Sequence, residues 1–170
     1  MPADETSRRE LTHVDESGEA SMVDVGEKSE TVRQAVATAT VVMLPDTLSL
    51  IVQNQIKKGD VLAVARISGI MAAKQTPSLI PLCHTLQLNQ VSVEFQIDDE
   101  NHSINVEAFV STSAKTGVEM EALTAVSIAA LTIYDMCKAV DRAIHIEDVK
   151  LLKKTGGKSG DYTFGNSKDY

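Results

Sequence analysis

Two stretches in the middle of the chain alternate apolar and polar residues with the period of two that is typical of β-strands. They lie between Leu86 and Val110 and read LQLNQVSVEFQI and SINVEAFV, with the polar tip 98–102 between them. This arrangement predicts a β-hairpin. A run rich in β-branched residues, 36–44, ends next to Pro45 and predicts an earlier strand, and 143–154 predicts a final one.

Two helices are predicted between the first strand and the hairpin. Asp46 is a suitable N-cap for a helix over 47–57, which Gly59 closes. Asp60 then caps a second helix that runs to about Gln75.

A long helix is predicted after the hairpin. Thr116 and Glu119 have the T-x-x-E spacing of a capping box and open a helix that extends to about Val140. From Ala122 to Tyr134 its residues are apolar or small on every side. A helix covered only by its own sheet would keep a polar face. We therefore expect its outer face to be covered in an oligomer, and an extra helix of the same chain is the competing explanation.

The order of elements, β-α-α-β-β-α-β, predicts the fold class. A β-α-β unit, a hairpin and a second β-α-β unit give an α+β ferredoxin-like sandwich, with an antiparallel four-stranded sheet, helices packed on it and one extra helix. We expect one domain over 13–160, a disordered N-terminal tail over 1–12 and a flexible C-terminal tail over 161–170.

Composition narrows the function classes. The formal net charge is -8, which disfavours nucleic acid and anionic membrane as partners. The longest apolar stretch has 13 residues, against the ~20 of a membrane span. The first ten residues lack the apolar core of a signal peptide, so a cytoplasmic protein is expected. Cys83 and Cys137 form no metal-binding pattern, and with His84 alone as a neighbour no zinc site is predicted.

Two groups of residues could carry chemistry. Asp135 and Lys138 are three positions apart on one face of the long helix. They form either an ordinary surface ion pair or an acid/base pair whose pKa values are shifted by burial and by each other. The glycine-rich segment 155–160, with Lys153, Lys154 and Lys158, is either a phosphate-binding segment or a solvated tail.

Six motifs occur along the chain in one order. They are Met22-Val-Asp-Val25, Lys58-Gly-Asp60, Ile80-Pro-Leu-Cys-His84, Lys115-Thr-Gly-Val-Glu-Met-Glu-Ala-Leu-Thr124, Ile133-Tyr-Asp-Met-Cys-Lys138 and Gly156-Gly-Lys-Ser-Gly160. Taken together, they resemble those of one family, the cyclic pyranopterin monophosphate synthases, also called molybdenum-cofactor biosynthesis protein C. The resemblance covers about residues 11–164 and departs at Thr85, where the family usually has proline.

The resemblance implies a lyase of molybdenum-cofactor synthesis. Its substrate would be (8S)-3′,8-cyclo-7,8-dihydroguanosine 5′-triphosphate, and its products cyclic pyranopterin monophosphate and pyrophosphate. It further implies a homohexamer built as a trimer of dimers, with sites between subunits. This reaction needs no redox cofactor and the sequence has no motif for one, so we expect no cofactor and no metal centre; a requirement for Mg²⁺ stays open.

The resemblance also assigns residues. Its catalytic groups fall on Asp135, Lys138 and Lys58. The substrate-binding positions that it implies are Leu82, Cys83, His84, Met120, Glu121, Lys74, Lys154, Arg33 and Asp24.

One geometric expectation follows from the spacing of two acidic residues. Glu121 and Asp135 are 14 positions apart, so they lie ~21 Å apart along a helix. Both can line one site only if that site combines two chains. The competing function is a non-catalytic nucleotide sensor, which would bind the substrate without releasing pyrophosphate. A pure assembly subunit would not bind it at all.

Overall fold

The computed structural model describes residues 21–158 and 160–166. The predicted N-terminal tail, 1–12, and the last part of the predicted C-terminal tail, 167–170, lie outside the described residues. In chain order the elements are β1 Thr31–Val42, α1 Pro45–Val52, α2 Val61–Lys74, α3 Thr76–Leu79, β2 Leu88–Asp98, β3 Ser103–Ala114, α4 Glu119–Cys137, β4 His145–Thr155 and β5 Tyr162–Thr163.

The strands form one antiparallel sheet in the order β2-β3-β1-β4-β5. The predicted α+β class, the antiparallel sheet and the hairpin are confirmed. The prediction of four strands is wrong, because β5 adds a fifth by pairing Tyr162 with Lys154 and Thr163 with Lys153. A two-residue strand is too short to show the alternation from which strands are predicted.

The core lies between one face of the sheet and the helices α2 and α4. In β1 every second residue from Ala35 to Val41 is buried, which places three alanines and a valine beneath α4. The small side chains on this face let the helix lie close to the sheet.

A close helix crossing joins α2 to α4. A methyl group added at Gly69 would lie 2.9 Å from the carbonyl oxygen of Ala125 and 3.2 Å from Cβ of Ala129. The crossing therefore requires glycine, and Gly69→Ala would overpack it at a cost of about 1–3 kcal/mol.

The start of α1 differs from the prediction. Asp46 lies inside the first turn, and the N-cap residue, Leu44, has no side-chain cap. The carboxylate of buried Asp141 accepts hydrogen bonds from Leu44 N (2.9 Å) and Thr47 Oγ1 (3.1 Å) instead. A residue that follows α4 thus does the work of a local cap and holds α1 against the end of α4.

The start of α4 differs as well. The predicted capping box is wrong, because the helix begins at Glu119 after Val118, which has no side-chain cap bond. Thr116 lies in the preceding loop, and the Glu119 carboxylate pairs with Lys154 of β4. The predicted N-cap of α2 is confirmed, since Asp60 Oδ1 accepts from Ala63 N at 2.9 Å.

The apolar character of α4 has an explanation within the chain. Among the described residues, α4 is the helix long and apolar enough to cross a membrane by length and composition. It packs on β1, β3 and β4 and along α2, as a core helix does. The same-chain explanation therefore accounts for one flank of α4, while Leu131 stays 52% exposed on another.

Candidate active site

The C-terminal end of α4 carries a cluster of one carboxylate and two ammonium groups. Lys138 Nζ lies 2.7 Å from Asp135 Oδ1, and Lys58 Nζ lies 3.1 Å from Asp135 Oδ2. Lys58 also donates to the main-chain oxygen of Asp135 at 2.7 Å. The helix end favours these cations because its last carbonyl groups carry partial negative charge.

The cluster is open to solvent. The side chains of Asp135 and Lys138 are 58% and 51% exposed. Hydrogen bonds from Lys138 and Lys58 lower the pKa of Asp135, and the bond to Asp135 raises the pKa of Lys138. Asp135 and Lys138 therefore shift each other's pKa. A desolvated acid/base pair would also be buried, and within this single chain these two side chains are not.

Lys58 reaches the cluster through the loop that follows α1. That loop is placed by α1, which Asp141 fixes to the end of α4. The sequence separates Lys58 from Asp135 by 77 positions, and only the packing of α1 brings them together.

The N-terminal end of α4 forms one wall of an apolar pocket of about 530 Å³. The predicted substrate-binding residues Leu82, Cys83 and His84 line it from the segment after α3. The predicted residues Met120 and Glu121 line it from α4. The structure thus brings these five positions together around one cavity, which also contains the side chains of Ile80 and Leu86.

Glu121 is the titratable group most affected by this pocket. The residue is 3% exposed, and burial raises its pKa to about 7. A carboxyl group of this kind can hold or release a proton at neutral pH. Burial, with Glu121 as a further cause, also raises the pKa of the neighbouring Cys83 thiol.

His84 is oriented by the segment before β1. Its Nε2 lies 2.9 Å from the carbonyl oxygen of Val23, and because a carbonyl oxygen only accepts, this nitrogen is the donor. Asp24, predicted to line the site, accepts a hydrogen bond from Gly26 N at 2.7 Å and lines neither this pocket nor the one described next.

A second pocket, of about 380 Å³, adjoins the first and is basic. The two share Thr116, Gly117 and Glu119, which lie between them. Hereafter this second cavity is called the basic pocket. Its cationic side chains are Lys28, Arg33, Lys115, Lys154 and Lys158.

Arg33 holds the wall of the basic pocket together. It donates from Nη1 to Gly156 O (3.2 Å) and from Nη2 to Lys115 O (3.4 Å). Gly156 and Gly157 have φ of 93° and 84°, and a side chain at Gly157 would overlap the guanidinium. The Arg33 Nε is buried and finds no acceptor among the described residues.

Sequence reasoning missed part of this pocket. Lys28 and Lys115 were not predicted, and Glu119 was interpreted as a capping residue. Lys115 lies within the motif 115–124, and this position was the signal in the sequence that could have identified it as a site residue. Lys74, predicted to bind substrate, and Lys153, predicted beside the glycine-rich segment, are exposed and line neither pocket.

No group of three or more His, Cys, Asp or Glu side chains that could hold a metal ion occurs within the described ranges.

Comparisons with known proteins agree with the resemblance. The model of the MoaC family matches residues 22–157. A cyclic pyranopterin monophosphate synthase of Chloroflexus aurantiacus (strain J-10-fl) is 58% identical over 156 residues, which cover 92% of this chain and 96% of that protein. A synthase of the same name from Nostoc sp. (strain PCC 7120) is 60% identical, over 89% of this chain and 90% of that protein. Another, from Syntrophomonas wolfei, is also 60% identical, over 88% of this chain and 96% of that protein.

A solved structure of the ferredoxin protease FusC in complex with Arabidopsis ferredoxin aligns with 61% of this chain and 10% of that chain, at 12% identity. Its TM-score of 0.31 is too low to support a structural argument. The match to the family model includes the cluster at the end of α4 and every residue of both pockets except Lys158, and the relatives are matched over nearly their whole length. The chain therefore belongs to the MoaC family.

Proposed function

We propose that this chain is a cyclic pyranopterin monophosphate synthase, a lyase of molybdenum-cofactor biosynthesis. It would convert (8S)-3′,8-cyclo-7,8-dihydroguanosine 5′-triphosphate to cyclic pyranopterin monophosphate and pyrophosphate. The observation that carries this proposal is the pairing of an apolar pocket with a basic one across Thr116, Gly117 and Glu119. A purine-derived ring fits the first, and a triphosphate fits the second.

The apolar pocket would hold the ring system. Leu82, Met120 and Leu86 offer apolar surface, and Glu121 offers a carboxyl group whose proton is available near neutral pH. Such a group can accept from a ring N–H when ionised or donate to a ring nitrogen when protonated.

The basic pocket would hold the triphosphate. Lys154 and Arg33 were predicted to bind substrate, and Lys28, Lys115 and Lys158 line the same cavity. In a protein of net charge -8, this concentration of cations supports a local role in binding an anion. Charge on the leaving pyrophosphate would be stabilised here.

Asp135, Lys138 and Lys58 would carry the proton transfers. An ionised carboxylate between two ammonium groups can take a proton from one atom of the substrate while a lysine gives one to another. In this chain the cluster is exposed, so a covering surface is needed to exclude water during the reaction.

That covering surface would come from a second chain. The ~21 Å between Glu121 and Asp135 along α4 prevents both from contacting one ring within a subunit. An exposed apolar stripe on α2, formed by Val64, Ile67 and Met71, suits contact with another copy. We accordingly propose sites between subunits of a homohexamer, in which Lys74 reaches a neighbouring subunit's site.

The strand order supports a ferredoxin-like description of the fold. The first four strands lie in the order β4-β1-β3-β2, which a β-α-β, hairpin, β-α-β chain produces. In this description α1 and α3 are additions to the two packed helices, and β5 is an addition at the edge of the sheet.

A reducing compartment suits the two cysteines. Both are free thiols, and burial raises the pKa of Cys137 to about 11, so that it stays protonated. Free thiols are typical of the cytoplasm, where we place the enzyme.

The decisive experiment mixes the purified protein with the cyclised GTP derivative. We expect stoichiometric release of pyrophosphate and appearance of cyclic pyranopterin monophosphate by mass spectrometry. Binding of the substrate without pyrophosphate release would identify a sensor instead and contradict the proposal.

A further inference from the structure

Glu119 is the acidic side chain in the basic pocket; among the described residues, no other carboxylate lines it. Its Oε1 lies 3.0 Å from Lys154 Nζ. The two side chains are 28% and 31% exposed, so the pair is screened less than an ion pair on the open surface.

Gly117 shows how the Glu119 side chain lies. A methyl group at Gly117 would overlap the Glu119 carboxylate, so the side chain folds back over the loop before α4 rather than extending into solvent. The carboxylate therefore lies at the first turn of α4, where the partial positive charge of the helix N-terminus and the Lys154 ammonium group favour an anion. These are the partners that a phosphate oxygen would use.

We propose that the Glu119 carboxylate is a built-in competitor that occupies the position of a phosphate group in the basic pocket. An incoming phosphate must separate Glu119 from Lys154 before it binds. This inference rests on the proposed function, because it assumes that Lys154 contacts the polyphosphate.

The competition acts unequally on substrate and product. The substrate has a ring system that the apolar pocket binds, so it can offset the cost of displacing Glu119. Pyrophosphate has only its charge, and a pocket of five cations without an internal anion would release it slowly. Glu119 thus determines how readily the product leaves.

The test measures binding of inorganic pyrophosphate by calorimetry. Glu119→Gln keeps the size of the side chain and removes its charge. We expect its affinity for pyrophosphate to rise about three- to tenfold, which is the scale of a partly exposed ion pair plus relieved repulsion. Gly117→Ala displaces the carboxylate but retains its charge, and the affinity should rise there too.

Two controls separate this effect from others. Glu94→Gln removes the same charge from an exposed pair with Arg66 (3.3 Å) that lies outside the pocket, and it should leave pyrophosphate affinity unchanged. If Glu119 acts through Lys154, the gain should disappear when Glu119→Gln is combined with Lys154→Ala.

Unchanged or weaker affinity in both Glu119→Gln and Gly117→Ala would overturn the inference. So would an equal gain in Glu94→Gln, which would trace the effect to net charge. If the wild type turns over the cyclised substrate and neither variant binds pyrophosphate more tightly, only this inference fails. If the wild type releases no pyrophosphate from that substrate, the proposed function fails as well.

Discussion

Glu121 and Asp135 lie on the same helix, fourteen residues apart, and their carboxyl groups are in opposite environments. Glu121 is buried at the N-terminal end, where burial raises its pKa to about 7. Asp135 is exposed at the C-terminal end, where hydrogen bonds from Lys138 and Lys58 lower its pKa. The N-terminal end of α4 is thus enclosed by residues of its own chain. The charged cluster at the C-terminal end is open to solvent.

This difference shows which parts of the proposed active site a single chain can form by itself. The pockets at the N-terminal end are lined by α4, the loop before it, the segment after α3, the ends of β1 and β4, and the segments that precede β1 and follow β4. The cluster at the C-terminal end already has its mutual contacts, but exposed charges in water are weak acid/base catalysts until solvent is excluded. In the proposed enzyme the two ends of different α4 helices would face each other.

The largest expected effect comes from removing a member of the exposed cluster. Asp135→Asn, Lys138→Ala and Lys58→Ala should each fold normally and lose roughly 10²–10⁴ in turnover, the scale of general acid–base catalysis. Steady-state release of pyrophosphate measures the loss, and circular dichroism checks folding. Asp99→Asn, an exposed change of the same kind in the β2–β3 turn, is the control. Near-normal turnover in a folded cluster variant would mean that the residue is not catalytic.

Mixing two inactive variants tests whether the ends of α4 meet between chains. Asp135→Asn subunits paired with Glu121→Gln subunits would form some dimers with one site that carries both changes and one that carries neither. Random pairing should restore up to about one quarter of wild-type turnover. Differently tagged chains must first show that subunits exchange. With exchange established, activity no higher than that of the separate variants would contradict the two-chain site.

Binding to the basic pocket should depend on Lys154 and not on its neighbour. Lys154→Ala should weaken triphosphate binding by about 1.5–3 kcal/mol, since it removes a charge-assisted hydrogen bond. Lys153→Ala is the matched control, because Lys153 is exposed and lines neither pocket. Calorimetry with a GTP-like ligand measures both, and equal affinities of wild type and Lys154→Ala would exclude the contact.

The smallest expected effect concerns the pH dependence of stability, and it tests the buried end. Between its ordinary pKa of 4.5 and about 7, Glu121 is protonated in the folded protein and ionised in the unfolded chain. The free energy of unfolding should therefore fall as pH rises through this window, by about 1–3 kcal/mol relative to Glu121→Gln. Urea unfolding of both proteins at about pH 4.5 and about pH 8 measures the difference. A constant difference between them would show that the carboxyl group is solvated.

Sequence patterns determined the elements whose signals are local. The alternation of 86–110 gave the hairpin, and Asp60 gave the start of α2, because both patterns act within a few residues. The motifs around Lys58, His84, Lys115 and Asp135 indicated the family, which the comparisons confirm. These motifs can be identified without the fold because each is a short run of residue types, and the runs follow one another in one order along the chain.

Only the tertiary structure decided how distant segments meet. Asp141 replaces a local cap on α1, and Glu119 pairs with Lys154 instead of capping α4. Lys58 meets Asp135 across 77 positions, and Lys28 and Lys115 join Arg33 in one pocket. Each of these contacts joins residues far apart in the chain, so their geometry follows from packing the helices on the sheet. Local propensity contains no information about which distant carboxylate a lysine or a free N–H group will find.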